Sequence, residues 1–262
     1  SKENGNAANF HYKMKKNVIF FWLCSMAFSH ATSQKEGDSW IIGYSRSTNP
    51  NYSVLKLDFK SGNMVVKRMP GEYSQTAETC STICDDDGNP LIWTNGMLIR
   101  GSGFQMIDTI SYVPDDWDNI KPSFWQWWYS ENDFAYGFPI PNGAIILPDP
   151  GETGIYHVIY QFSEWFDDPL GFHCTKWLTA SVRLNPDSTF TFLSKDVQIG
   201  VSDILFQSPV KAVRHANGRD WWIYMLLRGS NQYQLILLDP SGINFMGLLD
   251  SGINMPQALG LA

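Results

Sequence analysis

Between residues 40 and 250 the apolar positions fall in short runs, each closed by a cluster of Gly, Pro, Asn, Asp or Ser. No long stretch carries a 3.6-residue apolar period, so the pattern predicts strands and not helices. Trp40-Ile41-Ile42-Gly43-Tyr44 is the first run. Ser53 to Phe59 alternates, reaches the turn-forming Lys60-Ser61-Gly62-Asn63, and is answered by Met64 to Met69. Thr79 to Cys84 runs into Asp85-Asp86-Asp87-Gly88-Asn89-Pro90, and Leu91 to Asn95 follows. An Asp-Gly between two apolar runs predicts a hairpin, because the turn needs a residue with positive φ. Further on, Gly143–Pro148 and Gly154–Phe162 flank Asp149–Glu152, while Leu178–Leu184 and Thr189–Ser194 flank Asn185–Ser188. Lys211–His215 and Trp221–Leu227 flank Ala216–Asp220, and Tyr233–Leu238 leads through Asp239–Gly242 to Ile243–Leu249.

Strands joined by tight turns predict an antiparallel all-β fold. A β-propeller and a β-sandwich are the competing architectures. Three strands share one exit pattern: Val54–Gly62, Ala180–Asp187 and Leu235–Gly242 each read as an apolar strand, then Leu, Asp or Asn, Phe or Pro, and a small polar turn. Such self-similarity favours radially stacked sheets, each burying a face it cannot bury alone. The expectation is a partial propeller of about three to four blades, with an insertion near residues 108–136 and a sandwich as the alternative.

The first forty residues change the picture of where the protein works. Met14-Lys15-Lys16 is a charged start, Asn17 to Phe28 an apolar core, and Ser29 to Gln34 a polar exit with small residues at Ala31 and Ser33. This is the anatomy of a secretory signal peptide cleaved after Ser33. Its apolar run is too short to span a bilayer comfortably, and no integral span is expected once it is removed. Phe21-Trp22-Leu23 before Cys24 lacks the small residues that lipid attachment requires. The chain is therefore read as an upstream polar segment (1–13), a signal peptide (14–33) and one β-domain (34–262). The expected location is secreted or at the cell surface, with the periplasm as alternative.

Composition narrows the class of partner. The 262 residues are 44% hydrophobic and 17% charged, which excludes intrinsic disorder. Net charge is -7, and removal of residues 1–33 leaves 15 basic against 25 acidic residues. An acidic surface excludes nucleic acid and disfavours anionic lipid. Cys80, Cys84 and Cys174 remain after processing. Cys80 and Cys84 on one straight strand lie too far apart to bridge, at about 3.3 Å per residue. Bonds from Cys174 to either one, and three free thiols, both stay open. No Cys/His spacing reads as a zinc site, and no metal or cofactor is expected.

Three segments carry candidate chemistry. Phe124-Trp125-Gln126-Trp127-Trp128-Tyr129 sits among carboxylates, Asp133 included. A row of Trp beside carboxylates holds sugar rings, although Trp more commonly fills cores. Trp165-Phe166-Asp167-Asp168, with Phe172-His173, is read as a second loop of the same character. Trp125, Trp127, Trp128, Asp133, Trp165 and Asp168 are thus the candidate ligand-binding residues. Asp85–Asn89 lacks the ligand spacing of an EF-hand and is read as a plain turn. His215, Asn217, Gly218, Arg219, Asp220, Trp221 and Trp222 are read as a structural signature around an Asn-Gly turn, in preference to a His–Asp acid/base pair. No catalytic residue is assigned.

Trp40–Tyr44, Asp86–Gly96, Ala144–Gly151 and, most specifically, Ala212–Trp222 together resemble exported β-propeller-like proteins of Gram-negative bacteria that use type IX secretion. The resemblance implies a propeller usually longer than this chain and followed by a C-terminal sorting domain. Because the sequence stops at Gly260-Leu261-Ala262, the expectation is a fragment. The resemblance implies no established enzymatic activity. The function expected is a non-catalytic exported module for binding or surface structure, with a glycan or another surface protein as partner. A carbohydrate-active enzyme with its site on the loop face is the alternative.

Overall fold

The computed structural model describes residues 35–43, 54–69, 79–110, 137, 142–167, 170–200, 210–227 and 231–252. Residues 1–34 lie outside the described residues. The described chain is all-β: one turn of 3-10 helix at Lys35–Gly37, then fifteen strands in four antiparallel sheets. The first sheet holds β1 (Ser39–Ile42), β2 (Val54–Asp58) and β3 (Val65–Met69). The second holds β4 (Ser81–Cys84), β5 (Pro90–Thr94), β6 (Leu98–Gly101) and β7 (Met106–Thr109). The third holds β8 (Ala144–Pro148), β9 (Ile155–Asp167), β10 (Leu170–Leu184) and β11 (Phe190–Ile199). The fourth holds β12 (Lys211–Arg214), β13 (Trp221–Leu226), β14 (Gln232–Asp239) and β15 (Gly242–Asp250). Each sheet is a meander whose spatial order is its chain order.

One turn design recurs because it matches the twist of the strands. In Asp85–Asn89 the Gly88 N–H donates to the Asp85 carbonyl at 2.8 Å, and the Asp85 N–H donates to Asn89 at 2.8 Å. Asn185–Thr189 and His215–Asp220 repeat both bonds. The residue three beyond the start takes positive φ each time: Gly88 at 72°, Ser188 at 65°, Gly218 at 75°. Gly62, at 79°, does the same after Phe59. A tight turn followed by a left-handed residue suits glycine and strains anything with a Cβ.

The sheets stack face to face in chain order. Ile41 and Val54 of the first meet Trp93 of the second. Ile83, Ile92 and Ile99 of the second meet Val158, Leu178 and Ala180 of the third. Ile159 and Trp177, on the other face of the third, meet Ile223, Ile236 and Leu238 of the fourth. A strand that buries both faces must be apolar on both, which is why β9 and β10 lack a clean solvent face.

The first strands lie beside one another. The Gly143 N–H donates to Thr79 Oγ1 at 3.1 Å and the Ile146 N–H to Ser81 Oγ at 3.0 Å, so β4 and β8 run the same way. The Val210 N–H donates to the Asn142 carbonyl at 3.2 Å, placing the start of β12 beside the start of β8. β1 runs opposite to β4: the Ile41 N–H meets Thr82 Oγ1 at 3.1 Å and the Ser39 N–H meets Cys84 Sγ at 3.3 Å. Glu36, just before β1, forms an ion pair with Arg214 at the end of β12, 3.0 Å apart, so the fourth sheet also touches the start of the first.

Two expectations need correction. Trp165 to Asp167 and Phe172-His173 are not a loop; they lengthen the β9–β10 hairpin, with Trp165 opposite Phe172 and Asp167 opposite Leu170. Aromatic and β-branched residues fill both arms, and only the tip carries turn formers. The short runs of β6 and β7 also form strands that the apolar pattern did not mark.

Candidate functional site: a groove between the third and fourth sheets

A groove of about 420 Å³ opens between β10 and β11 on one side and β15 on the other. Its floor is polar where the neighbouring interface is apolar. On β10 the residues facing the second sheet are Leu178, Ala180 and Val182, all buried core. The alternate residues Thr179 and Ser181 line the groove, with His157 of β9 directly opposite Ser181.

His157 is fixed from both sides. Its Nε2 lies 2.8 Å from Asp149 Oδ2 and its Nδ1 2.9 Å from Ser181 Oγ. A carboxylate only accepts, so Nε2 carries the hydrogen toward Asp149, while Nδ1 shares a hydrogen with the Ser181 hydroxyl. Asp149 itself is tied to the turn after β8, where Oδ1 accepts the Gly151 and Glu152 N–H groups, each at 2.7 Å. Burial raises the Asp149 pKa, but the His157 hydrogen bond and the two amides outweigh it and hold the carboxyl below its usual range. Aspartate, imidazole and serine in a row are the ingredients of a nucleophilic relay, yet the nitrogens are exchanged: a serine hydrolase sets serine on Nε2 and carboxylate on Nδ1. The row is a cross-strand brace that sets the Ser181 rotamer.

Thr179 is 4% exposed, and its Oγ1 has no hydrogen-bond partner. Opposite it, β11 carries a bulge: Thr179 pairs with Val197 and Ser181 with Ser194, so Lys195 and Asp196 together face Ala180 and β11 has one residue extra. Asp196 has φ 54°. The added residue turns Ser194 and Val197 toward the same groove, the usual way a bulge re-aims side chains. Gly200 closes one end at φ 69°; a Cβ there would collide with the side-chain oxygen of buried Gln234. Ile243 and Phe245 of β15 form the apolar wall.

The residues singled out from sequence are distributed as follows. Trp125, Trp127, Trp128, Asp133 and Asp168 lie outside the described residues, and Trp165 is placed on β9. The His215–Trp222 segment is the β12–β13 hairpin. Asn217 Oδ1 accepts the Arg219 and Asp220 N–H groups, each at 3.0 Å, and Arg219 Nε donates to Asp220 at 2.7 Å. Arg219 holds the Asp220 carboxyl below its usual range. His215 packs on Trp222 with ring centres 5.3 Å apart, and Trp221 joins the third–fourth sheet core while Arg214 stacks on it at 4.2 Å. Cys80, Cys84 and Cys174 are free thiols. Cys84 and Cys80 cap carbonyls on the edge of β1, and Cys174 lies in the core between the third and fourth sheets. Among the described residues no three His, Cys, Asp or Glu side chains are grouped to hold a metal ion. No helix there is long and apolar enough to cross a membrane.

Sequence reasoning missed the groove altogether. The signal was present: Thr179-Ala180-Ser181-Val182 alternates polar and apolar, a pattern that ordinarily marks a solvent face. Here that face looks into a neighbouring sheet.

Comparison of the chain with protein-family models, with curated proteins and with solved structures gave no match.

Proposed function

We propose that this chain is a non-catalytic β-propeller module, exported to the cell surface, that works by binding. The observation carrying this reading is the arrangement of the first strands. β4, β8 and β12 stand side by side at the head of consecutive meanders, and Arg214 reaches back to Glu36 ahead of β1. Sheets stacked in chain order, with the last touching the first, fit a ring of blades better than two facing layers. The shared exit pattern supports the same reading. Phe59–Gly62, Asn185–Ser188 and Asp239–Gly242 each join the last two strands of their sheets. Counted from that turn, β1 corresponds to a second strand, and this accounts for its running opposite to β4. The signal-peptide anatomy of residues 14–33 and the acidic domain support export.

A glycan or another surface protein is the partner class. The test is a glycan array probed with the purified protein, followed by product analysis of whatever is retained. Retention without chemical change is expected. Release of a cleaved product, abolished by Asp133→Ala or Asp168→Ala with the melting temperature intact, would replace this reading with a carbohydrate-active enzyme.

A further inference from the structure

We propose that the groove between β10–β11 and β15 is a binding site for an uncharged, polyhydroxylated ligand, a sugar ring being the fitting class. The inference rests on the binding-module reading above and gives it a location. Three observations carry it. The volume, about 420 Å³, lies within the range of small-molecule sites. Among the described residues the lining holds no lysine, arginine, aspartate or glutamate, and its one titratable group, His157, is already engaged by Asp149 and Ser181. A charged ligand would therefore find no counter-charge there. The polar groups of the lining are hydroxyls and an amide, from Thr179, Ser181, Ser194 and Gln198, facing the apolar Phe245 and Ile243. A pyranose has this duality: C–H groups that pack on an aromatic face and hydroxyls that exchange hydrogen bonds at the rim.

Thr179 is the diagnostic residue. A hydroxyl buried without a partner costs stability, and selection for folding alone would favour valine, which has nearly the same shape. Its presence on the groove floor is explained if a ligand hydroxyl completes the bond. The Asp149–His157–Ser181 brace and the β11 bulge then act as positioning devices, presenting Ser181 and Ser194 to the same ligand.

The experiment uses the full chain and saturation-transfer NMR with methyl glycosides of glucose, galactose, mannose, rhamnose and N-acetylglucosamine. The wild type should bind at least one of them. Thr179→Val should weaken that binding at least tenfold while leaving the melting temperature equal or higher, and Phe245→Ala should weaken it without unfolding. A folded wild type that binds none of the five overturns the proposal. So does a Thr179→Val protein that binds as the wild type does, or one that melts lower, since the hydroxyl would then have a partner in the free protein. Full array binding by both variants would move the site elsewhere and leave the binding module standing. Release of cleaved sugar would refute the binding-module reading itself.

Discussion

The hydroxyl of Tyr160 donates to the carboxylate of Asp196, and the same oxygen accepts the Asp196 N–H at 3.2 Å. One phenol thereby pins the β11 bulge to the middle of β9. Burial, and then the adjacent Asp196 carboxylate, push the Tyr160 pKa far above its ordinary value. A group whose folded pKa is raised contributes stability that is complete below the unfolded value, about pH 10, and is lost as pH rises beyond it. Tyr160→Phe should cost about 1–2 kcal/mol at neutral pH in urea unfolding. It should also flatten the alkaline loss of stability expected of the wild type. Equal alkaline slopes for the two proteins would contradict this.

Asp149 is the acid-side counterpart. Its folded pKa is depressed, so its contribution is complete above the unfolded value near pH 4 and is lost as pH falls through the lower folded value. Asp149→Ala should lose about 2 kcal/mol at pH 7, as hydrogen bonds to a charged group typically do. The variant and wild-type stabilities should converge as the pH drops below 4.

The left-handed turn positions make opposite predictions at equivalent sites. Gly88 has φ 72°, and a Cβ there would lie 2.8 Å from the Asp38 Cβ. Gly88→Ala should destabilise by more than about 1 kcal/mol. Ser188 holds the same backbone position at φ 65° with a side chain already in place. Ser188→Gly should relieve strain and leave stability unchanged or up to about 1 kcal/mol higher in thermal or urea melts.

The cysteines should behave as structural thiols. Burial pushes the pKa of Cys84 up and that of Cys174 further still. Since the thiolate is the reactive form, neither should react with Ellman's reagent in the native protein at pH 8. Full reaction in denaturant should follow, and reduction should not alter electrophoretic mobility. A disulfide-linked peptide in the tryptic map would refute this.

Much of the fold was legible because turn chemistry is local. Gly62, Gly88 and Gly218 each needed positive φ, and the apolar runs around them had to be the arms. The long hairpin was only partly legible: Asp167-Asp168-Pro169 reads as punctuation, but nothing local says that Phe162–Phe166 and Gly171–Lys176 pair with each other. β6 and β7 escaped because Gly101-Ser102-Gly103 reads as loop and each strand offers only two apolar residues, Leu98-Ile99 and Met106-Ile107. The groove was illegible for a different reason. Whether Thr179 and Ser181 face water or a neighbouring sheet depends on where β15 arrives, far later in the chain. Brief alternation fixes which side chains share a face, and tertiary packing decides what that face meets.

The Glu36–Arg214 contact between the first and fourth sheets gives the proposed ring of sheets its most direct test. Cysteines placed at Glu36 and Arg214 and treated with a short bismaleimide should give an intramolecular cross-linked peptide pair in the monomer, absent from either single variant. That result is predicted if the meanders are ranged around one axis so that the fourth returns to the first. A monomer that stays folded and yields no link between positions 36 and 214 would contradict the ring.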